Sequence, residues 1–100
     1  MRIIAVENLE DFWKKNPKSK LPLQAWFTVA KRCNWKNANE IKLTFPNVSI
    51  LKDNRIVFNI KGNDYRLIVK FNFAVSLGYI CFVGTHKEYS MIDANEVWNY

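Results

Sequence analysis

At Phe45-Pro46 the apolar pattern of this 100-residue chain changes period, and no other feature constrains its fold as tightly. Upstream, apolar side chains recur at helical spacing; from Val48 onward they alternate residue by residue. A helix buries one stripe and a strand one face, so the two halves must cover each other as helices on a sheet. The expected class is α+β.

Arg2 to Val6 is a short apolar run suited to a strand, and Leu9, Phe12 and Trp13 follow at helical spacing until Asn16-Pro17 stops the pattern. Ser19 is placed to cap a second helix whose first turn tolerates Pro22, and Leu23, Trp26, Phe27 and Ala30 form its apolar stripe. Asn37-Ala38-Asn39 interrupts. Glu40 to Thr44 then leaves room for one helical turn before Phe45, because the residue before a proline disfavours helical geometry. Downstream, Ser49 to Lys52, the turn Asp53-Asn54 and Arg55 to Ile60 read as a hairpin. The turn Lys61 to Asp64 leads into Tyr65 to Phe73, and Ser76-Leu77-Gly78 leads into Tyr79 to Thr85. The expected architecture is an N-terminal strand and two helices packed on an antiparallel sheet of meander order, in one domain spanning 1–100.

Fifteen Lys and Arg against nine Asp and Glu give a net charge of +6, which favours polyanionic partners. Cys33 and Cys81 lack the Cys-x-x-Cys or Cys/His spacing of a zinc site and read as buried thiols. Asp53, Asp64, Glu88 and Asp93 form no pattern suited to a divalent ion, so neither a metal nor another cofactor is expected. The N-terminus turns acidic at Glu7 and does not resemble a signal peptide, and no run approaches the roughly 18 apolar residues of a membrane span. The expected compartment is the cytoplasm, without a membrane partner.

Alternation sorts the strand residues into faces. Tyr65, Leu67, Val69 and Phe71 should face the helices, with Ile56, Phe58 and Ile60 beside them; Arg66, Ile68 and Lys70, with Arg55, Val57 and Asn59, should share the opposite face as a basic groove. His86, the only histidine, follows the last strand pattern in Gly84-Thr85-His86-Lys87-Glu88-Tyr89. One helical turn would set His86 and Tyr89, three residues apart, on neighbouring positions. Gly62 reads as a turn glycine, and Lys14-Lys15 and Lys18-x-Lys20 as a solvated helix end.

This set of side chains suits RNA cleavage without a metal. RNA carries its own nucleophile, the 2′-hydroxyl, so a nuclease must deprotonate that oxygen, stabilise the phosphorane and protonate the 5′-leaving oxygen. Histidine, with a reference pKa of about 6.5, suits proton transfer near neutral pH. Arginine offers a permanent charge and a fork matched to two phosphate oxygens. His86 is therefore the candidate general acid or base, Arg66 the phosphate clamp and Tyr89 the residue that orients the nucleotide; Lys70, Lys87 and Arg55 would add affinity for the backbone.

Two segments, Val57-Phe58-Asn59-Ile60-Lys61-Gly62-Asn63-Asp64-Tyr65-Arg66-Leu67 and Gly84-Thr85-His86-Lys87-Glu88-Tyr89, together with Phe45-Pro46 before a hairpin, resemble the HigB type of toxin-antitoxin ribonuclease within the RelE-like superfamily. The resemblance implies a ribosome-associated mRNA endonuclease that inhibits translation and is held inactive by a helix-turn-helix antitoxin. It places that family's basic strand position on Arg66, its titratable position on His86 and its aromatic on Tyr89, and its hairpin signature on Asn59, Gly62 and Asn63. The histidine departs from RelE toxins, which use arginine at the corresponding place. The tail from Met91 to Tyr100, with Ile92, Val97 and Trp98, is expected either to cover the sheet edge or to contact a partner. Two alternatives share the architecture: a non-catalytic RNA- or ribosome-binding module, which would bind without cutting, and a ParE-like toxin acting on DNA gyrase, which would leave messages intact.

Overall fold

A computed structural model describes residues 1–100. Its elements run β1 (Arg2–Ile4), α1 (Glu7–Lys15), α2 (Lys20–Arg32), α3 (Ala38–Thr44), β2 (Ser49–Ile50), β3 (Arg55–Ile60), β4 (Tyr65–Asn72), β5 (Leu77–Thr85) and α4 (His86–Tyr89). The five strands form one sheet in the order β1-β5-β4-β3-β2. From β2 to β5 the neighbours are antiparallel, as the meander pattern requires. The sheet is nevertheless mixed, because β1 pairs with β5 in parallel. Hairpin order governs only consecutive strands, and β1, separated from the rest by the helices, is free of it.

The helices cover one face. Leu9 of α1, Leu23, Trp26 and Ala30 of α2 and Ile41 of α3 join Ile56, Phe58, Leu67, Val69 and Phe71 in a single core. Trp26 meets Phe58 edge to face at 5.2 Å, a favoured geometry for buried aromatic pairs. The α-amino group of Met1 donates to the carbonyls of Lys31 and Cys33, setting a cation at the negative end of α2 and fixing β1 beside it. Ser19 does not cap α2 as expected. The Pro17–Ser19 stretch forms a turn of 3₁₀ helix, and the fully buried Ser19 hydroxyl donates back to the Asn16 carbonyl at 2.7 Å. Asn37 does cap α3, its side chain accepting from the Glu40 amide at 3.0 Å. The β2–β3 turn takes Asp53 and Asn54 through positive φ and leaves β2 only two residues long.

The opposite face of the sheet is also buried, and here the structure corrects the expected open basic groove. Val57, Ile68, Cys81 and Phe82 form a second, smaller core, capped by Tyr89, Ile92, Ala94 and Val97. A bulge on β5 creates it: Ile68 pairs with Phe82 and Val69 with Ile80, leaving Cys81 as the extra residue. Cys81 and Phe82 therefore share one face, while Ile80 and Val83 both return to the helix-covered core. Beyond the end of β1 the Cys81 carbonyl accepts the amide of Asn99 at 2.9 Å, so the tail also closes the edge of β5. Lys52 and Glu96 add an exposed salt bridge at 3.0 Å, and the Glu96 hydrogen bond raises the Lys52 pKa. Burial pushes the Cys81 thiol and the Tyr100 phenol above their ordinary pKa values. Both cysteines are free thiols, Cys33 half-buried and Cys81 fully buried. No helix is long and apolar enough to cross a membrane.

Candidate active site

The candidate site lies where the β3–β4 turn meets the start of α4. Thr85 and Glu88 form a capping box: the Thr85 hydroxyl accepts from the Glu88 amide at 3.1 Å, and the Glu88 carboxylate accepts from the Thr85 amide at 2.8 Å. This reciprocal pair starts α4 at His86 and fixes Tyr89 one turn later. The His86 amide donates to the Asp64 carbonyl at 3.0 Å, docking the new helix on the Lys61–Asp64 turn. Gly84 has a steric reason to be glycine. A Cβ there would fall 2.4 Å from the tip of the Phe82 ring and 3.3 Å from Glu88 Cβ.

Arg66 and Tyr89 are brought together on the tail-covered face. The guanidinium carbon lies 5.6 Å from the Tyr89 ring centre, and the ring is tilted against Phe82 at 6.5 Å. Arg66 also donates through Nη1 to the Asn63 carbonyl at 2.9 Å and to the Tyr65 carbonyl at 3.3 Å. The guanidinium is thus held by backbone and aromatic contacts, with no carboxylate salt bridge to neutralise it.

His86 faces a different hollow. Its exposed side chain lines an open depression with Lys18, Lys61, Asn63, Asp64 and Tyr65, to which neither Arg66 nor Tyr89 contributes. Tyr65 belongs to the helix-covered side, packing edge to face on Phe12 at 5.6 Å, so the hollow opens round the end of the sheet from Arg66. Arg66 and Tyr89 thus form a clamp on the tail-covered face, and His86 lines the adjoining hollow at the end of the sheet. Asn63 adjoins both, because its carbonyl receives Arg66 while the residue lines the His86 hollow.

The expected backbone-binding residues separate as well. Asn63, exposed in the turn, and Lys87, exposed on α4, remain beside the site. Asn59 pairs across the ladder with Arg66 and donates weakly to the Asn47 carbonyl at 3.4 Å. Lys70 sits further along β4, its ammonium 5.9 Å from the Trp98 ring. Arg55 is not a surface contact: it is only 6% exposed, donates to the Ala94 and Val97 carbonyls and lies 5.7 Å from the Trp98 ring. The tail that fills the groove has consumed it. Lys18 and Lys61 line the hollow without having been expected there: Lys18 read as part of a solvated helix end and Lys61 as part of a turn, and nothing along the chain connects either with His86. The Thr85-x-x-Glu88 spacing that positions α4 went unread, although it is a local capping signature.

A cationic, aromatic and imidazole-bearing site on this α+β scaffold is consistent with a small RelE-like toxin, and the comparisons reach the same class. Residues 19–92 match the family described as HigB toxin, RelE-like toxic component of a toxin-antitoxin system. The chain is 32% identical over 96 residues to the mRNA interferase toxin HigB of Escherichia coli K12, covering 94% of this chain and 92% of that relative, and equally similar to the mRNA interferase HigB of Shigella flexneri. A further mRNA interferase HigB, from Escherichia coli O6:H1, is 27% identical over 94 residues. The chain belongs to the HigB toxin family.

Proposed function

We propose that this chain is an mRNA endoribonuclease, the toxic half of a toxin-antitoxin pair, and that it inhibits translation by cutting messages on the ribosome without a metal ion. The observation that carries the activity is the 32% identity, over nearly the whole chain, to relatives named mRNA interferase. The 2′-oxygen attacks the adjacent phosphorus, the bond to the 5′-oxygen breaks, and one proton leaves the nucleophile as another reaches the leaving group. His86 makes one of these proton transfers. Arg66 clamps the phosphorane oxygens, and Tyr89, which carries the guanidinium on its ring, orients the nucleotide. Asn63 borders both half-sites, its carbonyl accepting from Arg66 while the residue lines the His86 hollow. Asn59, Asn63 and Lys87 add contacts to the strand.

The partner is a cognate antitoxin of helix-turn-helix type, and the working compartment is the cytoplasm. Primer extension on messages after induction, comparing wild type with His86→Ala, tests the activity and the residue together. New 5′ ends with wild type alone support the reading, and intact messages under growth arrest overturn it. DNA damage with intact messages would instead mark the gyrase-directed alternative.

A further inference from the structure

The sequence between Asp11 and Glu40 contains no acidic residue, yet its lysines play no part in the clamp of Arg66 and Tyr89. One of them, Lys18, is carried by the 3₁₀ turn before α2 to the wall of the His86 hollow, where it faces Lys61 of the β3–β4 turn. Residues 18, 61 and 86 thus converge from three separate elements on one open depression. Asp64 is the single carboxylate there, held 3.4 Å from Lys61 in an exposed pair of the kind that contributes little and exchanges partners readily. With Lys18 and Lys61 against Asp64, the hollow keeps an excess positive charge. Tyr65, braced edge-on by Phe12, provides its one aromatic wall.

We propose that this hollow is a second phosphate subsite, in which Lys18 and Lys61 hold an RNA backbone phosphate next to the one clamped by Arg66, so that the strand bends round the Lys61–Asp64 turn. The bend follows from the split geometry. Arg66 and Tyr89 lie on the tail-covered face and the hollow on the helix-covered side, with Asn63 at the border of each. A strand that touches the clamp and the imidazole together has to cross the rim at this turn. Lys18 and Lys61 are positioning residues that hold the crossing strand against His86; the identity of the anion as RNA rests on the proposed function, but the place of the subsite does not.

The test uses the intact chain and a short 2′-O-methyl RNA oligonucleotide, which binds but lacks the nucleophile. Affinity is measured across a salt series, and the His86 ring resonances are followed by NMR. The double variant Lys18→Gln, Lys61→Gln is expected to make the slope of log affinity against log salt shallower by about 0.7, the value for one single-strand phosphate contact. It should also abolish the oligonucleotide-dependent shift of the His86 resonances. Lys36→Gln, which removes a charge outside the hollow, should keep that shift. A double variant that retains both the slope and the shift overturns the subsite, even if wild type cuts message. A wild type that cuts no message but shows the lysine-dependent shift overturns the nuclease reading and leaves the subsite standing.

Discussion

The Arg55 guanidinium donates to the Val97 carbonyl at 2.6 Å across 42 residues of sequence, and to the Ala94 carbonyl at 3.2 Å. This contact turns a strand residue that sequence alternation assigns to an open basic face into the anchor of the C-terminal tail. Removing the side chain would strand two carbonyls and uncover Val57, Ile68, Cys81 and Phe82. Arg55→Ala is expected to cost roughly 2–4 kcal/mol of folding stability, the scale of lost hydrogen bonds to a buried charge. Urea unfolding measures it, and a change below about 0.5 kcal/mol, the range of an ordinary surface substitution, would refute the anchor.

Gly84 is fixed by steric contact rather than by backbone angle. Gly84→Ala should drive the new methyl into the Phe82 ring, which supports Tyr89, at a cost of about 1–3 kcal/mol. The unfolding midpoint checks the stability, and cleavage by the folded fraction should fall with it. Wild-type values of both would contradict this contact.

His86→Ala is expected to lower the rate of message cleavage by about 10²–10⁴-fold, the usual worth of a proton-transfer group. Because the side chain is exposed, the melting temperature should stay close to wild type. A stable variant that still cleaves at the wild-type rate removes His86 from the reaction.

Arg66→Ala should reduce the rate by about 10²–10³-fold, as loss of one transition-state donor does. Arg66→Lys is expected to recover little, since an ammonium lacks the planar fork. Tyr89→Phe retains the ring beneath the guanidinium and should outperform Tyr89→Ala in the same cleavage assay. Equal activity of the two Tyr89 variants would argue against a role for the ring.

Burial raises the Cys81 and Tyr100 pKa values, so the folded state resists ionisation of both. The stability this gives is fully present below their unfolded-state pKa values and is lost as pH rises through the folded ones. Melting temperatures taken from neutral to alkaline pH should therefore fall, first through the thiol range and then through the phenol range. Cys81→Ala should flatten the first part of that decline and Tyr100→Phe the second. Alkaline profiles parallel to wild type would dismiss the linkage.

The change of period at Phe45-Pro46, the Leu23-Trp26-Phe27-Ala30 stripe and the alternation of Tyr65 to Phe71 made the α+β layers legible, because local periodicity decides which side chains one element buries. The loop contexts of Arg66, His86 and Tyr89 were legible for the same local reason: Lys61–Asp64 is a turn between two strands, and α4 begins just after a third. Their mutual placement was not. A bulge at Cys81 shifts the phase of β5, and no one-dimensional pattern marks where the ladder slips. Hydrophobic residues in the tail called for burial at the sheet edge or against a partner; besides closing the β5 edge they cover the face expected to form the basic groove, and that burial took Arg55 out of it.

By itself, then, the sequence determined the layers, the chemistry available and the family resemblance, since these depend on residue type and near-neighbour spacing. Only the tertiary structure decided that Arg66 meets Tyr89 on one side of the sheet while His86 joins Lys18 and Lys61 round its end. Those contacts link residues far apart along the chain, and they exist only once strand register, the bulge and the docking of the 3₁₀ turn have been fixed together.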